Sequence, residues 1–354
     1  MFNPKRLTLA RRRRRLTKIL LAGAINVTPH TILRYESGDV LPPDDSIAKL
    51  SRALSFPIDF FFGPDIDELS DKTASFRSLS AMTAKERDAA LAAGSLAYLF
   101  SDWVEQRFYL PKQDLINLGV EEPEGAARSL RQKWLLGEQP IKNMVHLLEA
   151  KGVRVFSLSE NTKTVDAFSV WRGDRPYVFL NTEKTPEHSR YDAAHELGHL
   201  VLHKHGGPQG RKAEEEADRF AASFLMPSSD VKAILPRVTT LNQIIQAKKR
   251  WSVSVAALNY RLHKLGIVSD WLYRTFCIQL TERGFREKEP YGIKREQSIA
   301  WRKVFTELWK EKVTKKDVAN ELNLPFEEVN NLLFGLEGQQ GAEDNQSNAG
   351  LRLI

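Results

Sequence analysis

The sequence predicts an α+β chain that is mainly α, with helices at both ends and one small sheet near the middle. Three observations carry this. Apolar residues recur at threes and fours along most of the 354 residues. Strand-like alternation is confined to residues 153–156, 166–171 and 177–180. The run His195-Glu196-Leu197-Gly198-His199 stands inside a helical stretch just beyond them. The length exceeds one ordinary core, so several domains are expected. The divisions read as a helical domain over 1–65, a helical linker or dimerisation arm over 66–140, a mixed domain over 141–286, and a small helical domain with a disordered tail over 287–354.

Composition is that of an ordinary globular chain, 42% hydrophobic and 27% charged. The single cysteine, Cys277, excludes an intrachain disulfide and fits a reducing cytoplasm. No apolar run approaches the roughly 20 residues a membrane helix needs, so no membrane partner is expected. Residues 19–25 are apolar and follow an arginine run, as in a signal peptide, but the run is short and no small-residue cleavage pattern follows. The net charge is +7, and the first 52 residues hold all of it, with eleven Lys and Arg against four acids. A chain charged at one end docks that end on a polyanion.

The basic end reads as short helices. The first spans residues 4–14. Thr17 can cap a second that runs to about Ile25, and Asn26 tolerates the left-handed turn after it. Thr28 caps a third, with Pro29 at its first position, and residues 46–54 form another after Pro42-Pro43. Two short helices around a tight turn make a helix-turn-helix, whose second helix enters the major groove. Leu16-Thr17, Ala22, residues 25–29, Thr31-Ile32, residues 34–38, Pro42 and residues 47–50 resemble the Cro/C1 (XRE-type) helix-turn-helix family. That resemblance implies a five-helix domain bound to a double-stranded DNA operator, as a homodimer. It makes Thr28, His30, Thr31 and Arg34 the base-facing residues, with Arg34 suited to guanine. Arg11, Arg12, Arg13, Arg14 and Lys18 would contact phosphate. Lys18, Ile19, Leu20 and Asn26 depart from the family pattern. The added apolar residues mark either a dimer surface or weakened DNA contact.

Residues 84–108 read as a long helix with a Thr83/Glu86 capping box, and residues 124–135 as a second. No ligand cluster or phosphate loop occurs there, so this region reads as a spacer or dimerisation arm.

The chemistry lies further on. Residues 141–150 read as a helix and 153–156 as a strand. A hairpin follows, turning at Arg172-Gly173-Asp174, and a helix begins near Pro186. On that helix His195 and His199 share a face and can reach one metal ion, while Glu196 can touch a water on it. Catalytic zinc takes a third protein ligand and leaves one position for water. The candidates are His203, His205, Glu214, Glu215 and Glu216. His205 requires a glycine turn where Leu202 stands. His203 lies a turn too far along and reads as structural. Residues 213–222 read as a facing helix, on which Glu214 and Asp218 share a face. Glu214 can then bind the metal while Asp218 supports a ligand histidine. Glu216 lies on another face, and the alternative makes all three glutamates a solvated surface.

Residues 190–203 with 213–227 closely resemble the ImmA/IrrE metallo-endopeptidases, gluzincin-like proteins often fused to Cro/C1-type domains. The resemblance implies His195, His199 and Glu214 as Zn2+ ligands, Glu196 as general base, and a zincin-like fold whose edge strand can pair with an extended peptide.

The C-terminal third reads as helices at 241–249, 255–265, 271–281, 301–309, 314–322 and 325–333, before a Gly- and Gln-rich tail at 335–350. The set from Thr314 mimics a second helix-turn-helix. Glu327 and Glu328 would repel phosphate there, so it reads as a packing element. Two functions follow. One is a DNA-binding regulator with a zinc-dependent endopeptidase domain that cleaves itself or a partner repressor. The other is a non-enzymatic regulator whose metal domain is structural or senses a metal or ligand.

Overall fold

The computed structural model describes residues 1–69, 82–119, 121–158, 167–204, 210–285 and 287–337. The chain opens with α1 (Pro4–Arg13), α2 (Lys18–Ile25), α3 (Pro29–Ser37) and α4 (Asp44–Leu54). Thr17 and Thr28 cap α2 and α3 by accepting from the main-chain N–H of Leu20 and Thr31. Asn26 makes the turn between them at φ +58°. The fifth helix of this domain is a 3-10 turn, Ile58–Phe62, held between Pro57 and Gly63. Leu7, Leu21, Ile25, Ile32, Leu50 and Phe60 fill its centre.

Next come α5 (Ala84–Glu105), α6 (Pro123–Lys133) and α7 (Met144–Ala150). The Thr83/Glu86 capping box starts α5 as expected. The three strands are β1 (Arg154–Ser157), β2 (Ala167–Arg172) and β3 (Arg175–Leu180), in the order β1-β3-β2. β1 runs parallel to β3, and β2 pairs with β3 as an antiparallel hairpin. Gly173 turns that hairpin at φ +59°, a conformation glycine takes without steric cost. Then follow α8 (Pro186–Leu202), α9 (Arg211–Leu225), α10 (Ser228–Ile234), α11 (Leu241–Trp251), α12 (Val255–Lys264) and α13 (Asp270–Glu282). The chain closes with α14 (Ile299–Lys310), α15 (Lys315–Glu321) and α16 (Phe326–Leu333). The tail expected to be disordered lies, from residue 338, outside the described residues.

The sheet separates two cores, because successive side chains point to opposite faces. Phe156, Phe168, Val170, Tyr177 and Phe179 join the core of the N-terminal domain, α5 and the last three helices. Val155, Ala167, Val178 and Leu180 join the core of α8, α9 and α11–α13. Within the segment read as a linker or arm, α5 is packed into the first of these cores. In α5, Tyr98 meets Tyr177 at 4.7 Å between ring centroids, and Phe100 meets Trp301 at 5.5 Å. The reason is that α5 is buried nearly all round from Ala89 to Val104, and such a helix needs cover on both sides. α6 packs on α9.

The last three helices are likewise not set apart. Residues 287–298 lace the mixed domain to them. Glu289 pairs with the buried Lys248, which also pairs with Glu187. Ile293 N–H donates to Glu187, and Arg295 donates to Ser189. Glu296 pairs with the buried Arg190 and accepts from Met144 N–H at 2.8 Å. These contacts fix the first turn of α8, the helix that carries His195.

Candidate metal centre and DNA-facing surface

Thr185 caps α8 by accepting from His188 N–H, and Pro186 occupies its first turn. Helical spacing then puts His195, His199 and His203 on one stripe. α9 crosses close to this stripe. A Cβ on Gly198 would lie 3.1 Å from the Phe220 ring and 3.3 Å from the Ala217 Cα, so a glycine permits the approach. Tyr191 adds a tie, its hydroxyl donating to the Asp218 carbonyl at 3.1 Å.

The approach brings three metal-binding atoms together. One atom each from His195, His199 and Glu214 lie within 4.8 Å of one another. His195 Nε2 is 3.1 Å from His199 Nε2 and 3.2 Å from Glu214 Oε2, and His199 Nε2 is 3.4 Å from Glu214 Oε1. Ligands about 2.0–2.1 Å from a tetrahedral ion stand roughly 3.3–3.4 Å apart. The three donors therefore suit one zinc-sized ion. Burial works against charge on Glu214, yet its hydrogen bonds with both histidines hold its carboxyl well below the usual range. Burial also opposes charge on His195, but Asp218 and Glu214 together hold its pKa well above the usual value.

Asp218 Oδ1 lies 2.9 Å from His195 Nδ1, the ring nitrogen turned away from Glu214. Glu216 is not beside the three donors. It meets His203 Nε2 at 3.1 Å, and His203 Nδ1 stands 2.9 Å from His199 Nδ1. His203, read as merely structural, thus touches a donor histidine. Glu215 is exposed and pairs with Arg211. His205 lies outside the described residues.

Glu196 is buried, and its Oε2 accepts from Ser169 Oγ at 2.7 Å. Sequence reasoning missed Ser169. The signal was available, because alternation along the hairpin puts Ala167 and Ser169 on the face opposite Phe168 and Val170. β2 is an edge strand of the sheet.

The N-terminal domain presents a mixed surface. Thr28, His30 and Arg34 are exposed and Thr31 is partly so. Thr28 Oγ1 also meets Thr31 Oγ1 at 2.9 Å, so these two hydroxyls are partly spent on the helix cap. The arginine run differs from the expected phosphate-binding row. Arg11 pairs with Glu36 at 2.5 Å, and Lys18 lies 3.6 Å from the same carboxylate. Arg13 pairs with the buried Glu328 at 2.6 Å, and Arg14 pairs with it too. Arg12 is exposed, 3.9 Å from Glu68. For Arg13 and Arg14 the cause is distant in sequence: α16 delivers Glu328, an acid that local charge counting leaves out.

Two family models match the chain. Residues 148–263 match peptidase family M78, described as an IrrE N-terminal-like domain, and residues 7–61 match a helix-turn-helix model. The chain therefore carries a helix-turn-helix region and an IrrE-like region in one polypeptide. No curated protein matches it. The IrrE-like match runs from α7 into α12, so His195, Glu196, His199, His203, Glu214, Glu216 and Asp218 all fall inside it. The helix-turn-helix match takes in most of α1, all of α2–α4 and most of the 3-10 turn, with every residue named above as DNA-facing. No helix among the described residues is long and apolar enough to cross a membrane.

Proposed function

We propose that this protein is a DNA-binding transcriptional regulator whose IrrE-like domain is a zinc-dependent endopeptidase that cuts the chain itself or a partner repressor. The observation that carries the reading is the meeting of His195, His199 and Glu214 within one ion's reach, with Glu196 buried beside them. A zinc ion held there supplies a Lewis acid and lowers the pKa of its water toward about 7. Asp218 turns the His195 Nε2 lone pair toward the ion. Glu196 takes the proton of the attacking water and returns it to the leaving amine. Ser169 holds the other oxygen of that carboxylate. An extended peptide adding to edge strand β2 would run beside these groups.

On the DNA side, Arg34 and His30 at the exposed face of α3 read base edges, and Thr28 and Thr31 flank them. Arg12 and Lys18 meet phosphate, with Arg11, Arg13 and Arg14 available only after their ion pairs open. A homodimer on a two-fold operator is the working form, as such motifs bind paired half-sites. Operator binding places its work in the cytoplasm.

The test compares wild type with Glu196→Gln, each loaded with one equivalent of zinc, by intact mass of the chain and of a co-encoded helix-turn-helix repressor. Glu196→Gln should keep its zinc while cleavage falls about 10²–10⁴-fold. Cleavage unchanged in the variant sinks the assigned base. A zinc-loaded wild type that cuts neither protein, yet changes its operator affinity with zinc, makes the domain a sensor instead.

A further inference from the structure

The two histidines are supported in different ways. His195 Nδ1 faces a carboxylate directly, Asp218 at 2.9 Å. His199 Nδ1 faces a third imidazole, His203 Nδ1, at 2.9 Å, and His203 Nε2 faces Glu216 at 3.1 Å. The order of protons along this row follows from the groups in it. An ionised carboxylate only accepts, so the proton of a neutral His203 belongs on Nε2. Its Nδ1 then offers a lone pair, and His199 must donate to it through Nδ1–H. With that proton on Nδ1, His199 presents the Nε2 lone pair to the point it shares with His195 and Glu214. The reverse order sets the His203 Nε2 lone pair against a carboxylate. It also aims an N–H of His199 at the ion position. Burial limits the alternatives that water would offer: the side chains of His199, His203 and Glu216 are 7%, 11% and 23% exposed.

We propose that His203 and Glu216 are positioning residues for the metal centre, forming a two-step relay that sets the tautomer and ring orientation of His199. The inference rests on the zinc reading above. It gives three acids of the run separate tasks. Glu214 is the ligand, Asp218 supports His195, and Glu216 ends the row behind His199. It also explains a histidine at the C-cap of α8, one turn beyond the ligands.

The experiment measures zinc affinity by competition with a chromogenic chelator, on wild type, His203→Leu, His203→Gln and Glu216→Ala. The unfolding temperature of each metal-free protein is recorded alongside. Loss of such an outer partner costs about 10–100-fold in metal affinity. His203→Leu should show that loss with the metal-free unfolding temperature unchanged. His203→Gln, whose amide can accept from His199 and donate to Glu216, should recover most of it. The cobalt-substituted protein should change its visible spectrum in the leucine variant and keep it in the glutamine variant. Zinc affinity in His203→Leu within about twofold of wild type overturns the relay, and so does a glutamine variant no better than leucine. If the leucine variant does not fold, Glu216→Ala decides, since it leaves His203 in place; unchanged affinity there overturns the relay. Wild type with no affinity for zinc overturns the metal reading itself, and the relay with it.

Discussion

Glu149, on α7, is buried and accepts from Ser298 Oγ and from the N–H groups of Ile299 at 3.0 Å and Ala300 at 3.1 Å, so it caps α14. Burial outweighs those hydrogen bonds and pushes its carboxyl up to about 7, from an ordinary value of 4.5. A carboxyl raised in the folded state holds its proton more tightly there. Its contribution to stability is fullest below the ordinary value and is lost as the pH rises through about 7. The expected loss is on the order of 3 kcal/mol. Urea unfolding of wild type and Glu149→Gln between pH 4.5 and 7.5 checks it, and only wild type should show this added slope. Parallel slopes would contradict it. The same scale governs the candidate metal site, where Glu214 and Asp218 share the face of α9 that meets His195 and Glu216 lies on another face, against His203.

At the scale of the element, the spacing between α8 and α9 decides whether a site exists. Gly198 sets that spacing, since a methyl group there meets Phe220 and Ala217 at 3.1–3.3 Å. Gly198→Ala would gain about 1 kcal/mol of helix propensity and lose about 1–3 kcal/mol to overpacking. Net stability should therefore fall by about 0–2 kcal/mol, while Glu214 moves away from the histidines. The expected outcome is zinc affinity lowered at least tenfold in a protein that still folds; unchanged zinc affinity would show that α9 accommodates the methyl. Strand alternation works on the same scale. It sends the aromatic residues of β3 to one core and Val178 and Leu180 to the other, and it aims Ser169 at Glu196.

The molecule as a whole is held together by contacts between its ends. Glu328 on α16 is buried beneath Arg13 and Arg14 of α1, so the last helix neutralises part of the basic first helix. Removing one partner of such a pair leaves buried charge uncompensated and costs about 3–5 kcal/mol. Glu328→Gln should therefore lower unfolding stability by about 3 kcal/mol, whereas Glu327→Gln, at an exposed position, should stay within about 0.5 kcal/mol of wild type. Equal effects of the two substitutions in denaturant unfolding would place the docking energy elsewhere. Ile19 and Leu20 on α2 are exposed apolar residues.

The sequence by itself determined the local chemistry. Thr17, Asn26, Thr28 and Pro29 settled the helix-turn-helix, because caps and turns depend on near neighbours. His195, Glu196 and His199 were legible because four residues make about one helical turn. Glu214 with Asp218 followed from the same period on the facing helix. Contacts between residues far apart in the chain were decided only by the tertiary structure. The burial of α5 came from the N-terminal domain, the sheet and the last three helices, which pack around it. Arg11 of the arginine run is paired with Glu36, and Arg13 and Arg14 with Glu328, while Arg12 stays exposed. His203 gained a place behind His199 because α9 brings Glu216 to it. Periodicity records which face a residue occupies, and it carries no record of what packs against that face.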